Sequence, residues 1–225
     1  MDRIERYRRR RIKRRIQLGI RIGILLLVIT LLGIVGKYAF MHWFGDDVYA
    51  EQKIEEMKIP SPEFDVQLLT VNPYSRPGTQ STRINNIVIH YTANPGTTAK
   101  QNRDYFEGLK DSKITEASSH FIVGLSGEIV QCVPTWEVAY ASNHRNFDTV
   151  SIETCHHNAD GTYTDETYES LVHLTAWLCE KFRLTEEDVI RHYDITGKKC
   201  PKYFVENEEA WLLFKKDVKR MLEES

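Results

Sequence analysis

The sequence of 225 residues lacks internal repeats, low-complexity tracts and any Cys-x-x-Cys pair. The first two absences leave no sign of a repeat architecture, and the length suits one ordinary domain with additional segments. The irregular spacing of the four cysteines defines no disulfide framework. Cys179 lies on the apolar stretch of a predicted helix, where we expect a buried thiol. Whether Cys132 and Cys155, on two predicted strands, form a disulfide stays open.

Acidic residues are scarce in only one part of the chain. Residues 1–21 hold ten Lys or Arg against two acidic residues, a net charge of +8. The remainder holds 20 basic against 30 acidic residues, a net charge of -10, so the overall charge of -2 describes neither part. Because the basic run directly precedes an apolar run, anionic lipid headgroups are a simpler partner for it than nucleic acid. We therefore predict a membrane partner and no nucleic-acid partner.

The apolar run covers residues 22–44 and is interrupted by Lys37. A helix needs about 20 mostly apolar residues to cross a bilayer, and Lys37 could snorkel to the interface. Since no small-x-small cleavage site follows, an uncleaved anchor is favoured over a cleaved signal peptide. The excess of positive charge before the span predicts that residues 1–21 are cytoplasmic and residues 45–225 lie outside the cell membrane.

The rest of the chain is predicted to be a linker, residues 45–65, and one domain, residues 66–225. Charged residues and two prolines mark the linker. The predicted strands are 84–92, 119–124, 128–133, 150–155 and 189–191. The predicted helices are 97–110, 164–182 and 206–223. Strands interleaved with helices predict an α/β domain with a central mixed sheet flanked by helices.

Three separated residues form a candidate zinc-ligand set. His90 ends a predicted buried strand, His192 follows the short strand at 189–191, and Cys200 lies eight residues later, before Pro201. Imidazole and thiolate suit zinc, and three protein ligands leave a tetrahedral position open for catalysis. Taken singly, each residue is more often a buried histidine or thiol than a ligand.

Two charged residues are candidates for catalysis beside such a site. Val150 and Ile152 share one strand face, so Glu153 points to the other. There a carboxylate could accept a proton from water, although a solvent-facing glutamate is equally common. Lys198 would bring a cation close to Cys200 and could stabilise an oxyanion, although it could also be an ordinary loop lysine.

An ordered set of motifs resembles the zinc-dependent N-acetylmuramoyl-L-alanine amidases of the amidase-2 type, which are related to peptidoglycan recognition proteins. The matching segments are 87–92, 118–123, 129–134, 151–153 and 192–201. The resemblance implies a mixed sheet flanked by helices, with zinc in a surface groove. It also implies that His90, His192 and Cys200 bind Zn2+, that Glu153 is the catalytic carboxylate and that Lys198 is an auxiliary cation.

The chain departs from this family pattern at two places. Many relatives carry an aromatic residue where Ser119 precedes a histidine, and many have Ala-Trp-His-Ala where residues 139–142 read Ala-Tyr-Ala-Ser. His144 could replace the missing histidine, and His156 and His157 could lie at the rim of the groove. The roles of these three histidines stay open.

The resulting expectation is a membrane-anchored zinc hydrolase that cleaves the amide between N-acetylmuramic acid and L-alanine in peptidoglycan. The alternative is a non-catalytic peptidoglycan sensor or wall tether on the same fold. The complete ligand set, with Glu153 and Lys198, favours the enzyme. Protein partners and the oligomeric state cannot be read from the sequence.

Overall fold

The computed structural model describes Gly23, Thr30, Gly33 and residues 57–224. The predicted basic segment 1–21 lies outside the described residues, as does the predicted transmembrane helix 22–44 apart from those three positions. In the part of the chain that is described, no helix is both long and apolar enough to cross a bilayer. The chain divides into two units, Met1–Lys53 and Ile54–Ser225, and all elements given below belong to the second.

A six-stranded mixed sheet forms the centre of the domain, in the order β1-β4-β3-β5-β2-β6. The strands are β1 (Asp65–Val66), β2 (Asn86–Ile89), β3 (Phe121–Val123), β4 (Ile129–Gln131), β5 (Thr149–Thr154) and β6 (Val189–Arg191). All neighbours are parallel except the β3–β4 hairpin. The predicted mixed α/β sheet is therefore confirmed, and β1 adds an edge strand that the sequence did not predict.

Threonine side chains cap the starts of the two long helices predicted at 97–110 and 164–182. The helices are α1 (Ala99–Ser112), α2 (Asp165–Phe182), α3 (His192–Thr196), α4 (Lys202–Glu206) and α5 (Glu208–Glu224). The Thr98 hydroxyl accepts the Gln101 N–H at the start of α1, and the Thr164 hydroxyl accepts the Thr167 N–H at the start of α2. These bonds satisfy backbone donors that a helix leaves free at its start, which fixes where both helices begin.

The prediction of one final helix over 206–223 is wrong at its start. Asn207 has φ -131° and ψ 84°, outside the helical region, and it separates α4 from α5. Its carbonyl accepts the Trp211 N–H, so α5 begins immediately after it. Asparagine favours such cap positions because its short amide competes for nearby backbone groups.

Helices cover both faces of the sheet. On one face, α2 and α5 pack over the apolar strand residues, with Leu171, Leu174 and Leu178 of α2 fully buried. On the other face, α1 packs through Phe106 and Leu109. Because helices cover both faces of the sheet, the ends of its strands, rather than its faces, lie at the surface.

The last residues of the predicted linker lie against the domain. Both carboxylate oxygens of Glu180 accept backbone N–H groups, from Lys58 and Ile59, each at 2.8 Å. His173 Nε2–H donates to the Pro60 carbonyl at 2.9 Å. Ile59 is only 2% exposed and belongs to the core. Residues 57–65 therefore pack as part of the folded unit.

Candidate metal centre and active site

The three predicted ligands meet at one end of the sheet. His90 directly follows β2, and His192 directly follows β6 as the first residue of α3. Because β2 and β6 are parallel neighbours, their carboxyl ends lie side by side. Helix α3 ends at Thr196 and is followed by Gly197, which has φ 75°. The chain then returns, so that the Tyr193 N–H donates to the Cys200 carbonyl at 2.8 Å. The turn brings Cys200 beside the two histidines.

The donor atoms of this cluster face one another. Cys200 Sγ lies 3.8 Å from His90 Nδ1, and the rings of His90 and His192 have centroids 4.7 Å apart. One donor atom from each of the three side chains lies within 4.8 Å of the others. All three residues are buried: His90 is 2% exposed, His192 is 7% exposed and Cys200 is 3% exposed.

Burial sets the protonation of these donors. Burial, and then the charges of His192 and Lys198, hold the pKa of His90 well below its ordinary value. Burial and Lys198 lower the pKa of His192. Both imidazoles are therefore neutral at pH 7 and keep a lone pair for a metal. Burial raises the pKa of the Cys200 thiol to about 12, so a cation is needed to stabilise its thiolate.

The donor set fits a zinc ion. Zinc bonds of about 2.0 Å to nitrogen and about 2.3 Å to sulfur separate tetrahedral N and S donors by about 3.6 Å. The observed separation of 3.8 Å between His90 Nδ1 and Cys200 Sγ is close to that value. Two neutral imidazoles and one cysteine also match the preference of zinc for nitrogen and sulfur.

Two residues that the sequence did not indicate hold the outer nitrogens of the histidines. His192 Nε2–H donates to Asn143 Oδ1 at 2.9 Å, which leaves Nδ1 of His192 available. Ser142 Oγ lies 3.5 Å from His90 Nε2. Ser142 lies in the segment 139–142 that departs from the family pattern, and Asn143 directly follows that segment. The contacts join residues 49 and 52 positions apart, which no local pattern reveals.

Glu153 lies next to His90 in the sheet. The His90 N–H donates to the Ile152 carbonyl at 2.8 Å and the Thr154 N–H to the His90 carbonyl at 3.2 Å, so Glu153 is opposite His90 in the β2–β5 ladder. Residues opposite each other in a ladder share one face of the sheet, and for Glu153 this is the face away from Val150 and Ile152 that the alternation along β5 predicted. Because β5 lies between β3 and β2, Glu153 is not on a sheet edge.

The Glu153 carboxylate is poised for proton transfer. Its Oε2 is buried and has no hydrogen-bond partner among the described residues. Burial raises its pKa to about 7, against the opposing effect of Lys198. A carboxylate with its pKa near neutrality can accept and return a proton at physiological pH.

Lys198 is exposed on the segment between α3 and Cys200. Its backbone N–H donates to Thr196 Oγ1 at 3.2 Å. Its charge lowers the pKa of His90, His192 and Glu153, so its ammonium is within electrostatic reach of the cluster. The structure thus brings all five predicted site residues to one end of the sheet.

The histidine beside Ser119 belongs to a different, closed network. His120 Nδ1 accepts the Ser151 N–H at 3.0 Å, so Nε2 carries the proton that it donates to the Glu137 carbonyl at 2.9 Å. Ser119 is fully buried, and its hydroxyl lies 2.9 Å from the Phe121 carbonyl. The serine therefore contributes to the interior of the sheet and not to a groove.

The remaining histidines and cysteines have separate environments. His144 and His157 are exposed, whereas His156 is buried and stacks on Tyr91 with ring centroids 5.2 Å apart. All four cysteines are free and buried. Cys132 and Cys155 therefore do not form a disulfide, and Cys155 Sγ instead lies 3.6 Å from the Asn102 amide nitrogen.

Comparison with known proteins assigns the family. Residues 80–203, more than half of the chain, match the amidase-2 family, described as N-acetylmuramoyl-L-alanine amidase. The chain belongs to this family. The matched range contains His90, Glu153, His192, Lys198 and Cys200.

Individual relatives agree with this assignment. The amidase-2 chain is 34% identical over 165 residues to N-acetylmuramoyl-L-alanine amidase CwlL of Bacillus licheniformis, covering 68% of this chain and 45% of that protein. It is 33% identical over 177 residues to N-acetylmuramoyl-L-alanine amidase BlyA of Bacillus subtilis (strain 168), covering 69% and 47%. The chain thus spans about half the length of these relatives.

Solved structures show the same fold. The structure of PlyL matches with a TM-score of 0.60 and 22% identity, covering 70% of this chain and 98% of that chain. The catalytic domain of XlyA matches with a TM-score of 0.59 and 25% identity, covering 70% and 99%. Nearly the whole of each of these structures therefore has a counterpart in this amidase-2 chain.

Proposed function

We propose that this protein is a zinc-dependent N-acetylmuramoyl-L-alanine amidase, which hydrolyses the amide between N-acetylmuramic acid and L-alanine in peptidoglycan. The observation that carries the proposal is the buried His90–His192–Cys200 donor set with Glu153 Oε2 beside it, a buried oxygen that no described residue hydrogen-bonds. The names of the relatives, each called an N-acetylmuramoyl-L-alanine amidase, support this bond as the substrate.

His90, His192 and Cys200 would hold the zinc ion. When bound, zinc supplies Lewis acidity toward a carbonyl oxygen and toward water. The three side chains supply two neutral imidazoles and one thiolate, so one net negative charge offsets part of the charge of the ion. With only three protein ligands, the ion would keep a coordination position for the reaction.

Glu153 carries the proton through the reaction. Its carboxylate accepts a proton from the water whose oxygen attacks the amide carbonyl. It then returns the proton to the L-alanine nitrogen as the carbon–nitrogen bond breaks, which leaves a free lactyl carboxyl group and a free amine. Burial raises its pKa to about 7 when no metal charge is nearby, and a bound cation would lower the pKa from that value. Lys198 stabilises the negative charge that develops on the carbonyl oxygen.

The site of action that we propose is the outer side of the cell membrane. The support is sequence alone: the basic segment 1–21, the apolar segment 22–44 and the positive-inside rule. The segment 22–44 would anchor the protein in the membrane as a single span. Residues 45–56 would then connect the anchor to the folded unit.

Digestion of purified peptidoglycan tests the proposal. The full chain, loaded with zinc, is expected to release stem peptides that begin with a free L-alanine amine, identified by mass spectrometry. Glu153→Gln is the matched control, because it keeps the size of the side chain and removes the base. Binding of wild-type protein to peptidoglycan without release of such peptides would favour the non-catalytic sensor or tether.

A further inference from the structure

We infer that Asn143 is a positioning residue for the metal centre, fixing His192 in the ring orientation and tautomer that leave Nδ1 available to the ion. The inference rests on the proposed zinc site and adds a residue to it. Metal-binding histidines usually donate their second ring N–H to a fixed acceptor, which sets the tautomer and raises the basicity of the ligand nitrogen. In this chain an amide oxygen from a loop supplies that acceptor.

The contact itself is short and directional. His192 Nε2 lies 2.9 Å from Asn143 Oδ1, and an amide oxygen can only accept. The proton of neutral His192 therefore resides on Nε2. The corresponding contact of His90, with Ser142 Oγ, is 3.5 Å and so is weaker. The hydrogen bond from His192 to Asn143 is therefore the stronger of the two contacts to the outer ring nitrogens.

The backbone at Asn143 explains why an asparagine can occupy this position. Its φ is 54°, in the left-handed region, where asparagine is tolerated better than most residues other than glycine. It begins the 3-10 turn Asn143–Arg145, which lies against α3, the helix that starts at His192. The unusual backbone conformation presents the amide to the histidine.

The loop that carries Asn143 is fixed by its own side chains. Asn146 Oδ1 accepts the N–H groups of Ala141 and Ser142, at 3.1 and 2.6 Å. Arg145 pairs with Asp148 at 2.8 Å and donates to the Asn86 side chain at 2.6 Å. Because Asn86 begins β2, the strand that leads to His90, the loop is tied to the same framework as the ligands.

Asn143→Gly tests the inference, because glycine accepts the positive φ and removes the side chain together with its amide. The zinc affinity of the purified full chain is measured by competition with a chromogenic zinc chelator. We expect about tenfold weaker zinc binding, the lower end for loss of such a contact, since Asn143 is exposed. Co2+-loaded protein should show a changed ligand-field spectrum, which a general loss of stability would not produce.

Two further variants separate the hydrogen bond from the loop. Asn143→Asp retains an acceptor and tolerates the same φ, so it should restore zinc affinity and the Co2+ spectrum to nearly wild-type. His144→Ala, on the adjacent exposed residue, should leave both unchanged. If Asn143→Gly fails to fold, Asn143→Ser takes its place, because its hydroxyl is too short to replace the amide.

Three results would overturn the inference or its basis. Wild-type zinc affinity and spectrum in Asn143→Gly would remove Asn143 from this role. An equal loss in Asn143→Asp and Asn143→Gly would show that the acceptor is not what matters. Wild-type protein that binds no zinc would instead overturn the proposed metal site itself.

Discussion

Two buried polar clusters in the same sheet contrast sharply. Around His120, both ring nitrogens are bonded, one to the Ser151 N–H and the other to the Glu137 carbonyl. Around His90, His192 and Cys200, the donor atoms converge on one another, and the neighbouring Glu153 Oε2 has no hydrogen-bond partner within the described part of the chain. A buried polar group without a partner is costly, so it marks a place where something other than the chain completes the interactions. The closed cluster stabilises the fold, and the open cluster can bind and react.

The largest effect should come from removing a ligand of the open cluster. Cys200→Ser should lose zinc binding, and with it several kcal/mol of transition-state stabilisation, which is roughly a thousandfold or more in rate. Zinc content by atomic emission and the rate of amide hydrolysis measure this. Full zinc occupancy with unchanged rate in the variant would contradict the assignment of Cys200.

Replacing the carboxylate of the open cluster should separate metal binding from catalysis. Glu153→Gln should keep zinc but lower kcat by about a hundredfold to ten-thousandfold, the usual contribution of a general base. The pair of measurements is zinc content and turnover on peptidoglycan. Unchanged turnover would exclude Glu153 as the base.

A substitution in the closed cluster should lower the free energy of unfolding and leave zinc binding unchanged. His120→Ala leaves two buried partners unsatisfied and a cavity, so the free energy of unfolding should fall by about 3 kcal/mol. Urea unfolding of metal-free protein measures the loss. The folded variant should bind zinc with wild-type affinity, and a large fall in affinity would show that the two clusters are not independent.

The closed cluster also predicts a pH dependence. Burial lowers the pKa of His120 to about 4 from an ordinary value of 6.5, so below pH 6.5 the unfolded chain binds a proton that the folded chain does not. The contribution of this residue to the free energy of unfolding should therefore be fully present above about pH 6.5. It should fall by about 3 kcal/mol as the pH drops toward 4. Urea titrations at several pH values measure the free energy of unfolding, which should depend less on pH in His120→Gln than in the wild type. The same pH dependence in both proteins would contradict the assignment to His120.

The smallest effect is expected at the exposed rim of the open cluster. Lys198→Met should lower kcat by roughly tenfold, less than the loss of a buried oxyanion donor, because solvent screens an exposed ammonium. Lys199→Met, at the adjacent exposed lysine, is the matched control and should retain wild-type kcat. Equal losses in both variants would point to a general charge effect.

Local patterns in the sequence predicted the elements that local interactions decide. Both long helices begin within two residues of their predicted starts at 97 and 164, where Thr98 and Thr164 cap them, and the alternation of Val150 and Ile152 placed Glu153 on the opposite face of its strand. The break at Asn207 was missed, so the predicted start at residue 206 falls two residues before α5 begins at Glu208.

Contacts between distant segments could not be predicted in the same way. Asn143 reaches His192 across 49 positions, and Glu180 holds the backbone of Lys58 and Ile59 from more than 120 positions away. Nothing in the spacing of either set distinguishes these residues from ordinary polar surface residues. The three metal-ligand candidates were first grouped by their positions after predicted strands and by the chemistry of imidazole and thiolate, and the family order of the motifs around them then implied their roles.

The most direct test of the open cluster is whether peptidoglycan hydrolysis follows the zinc content of the protein. Free L-alanine amines released from peptidoglycan are counted for the zinc-loaded full chain, the chelated protein and the chelated protein given zinc again. Release should disappear on chelation, return with zinc, and stay absent in Cys200→Ser throughout. Full release by exhaustively chelated protein would contradict the assignment of this cluster as a zinc amidase centre.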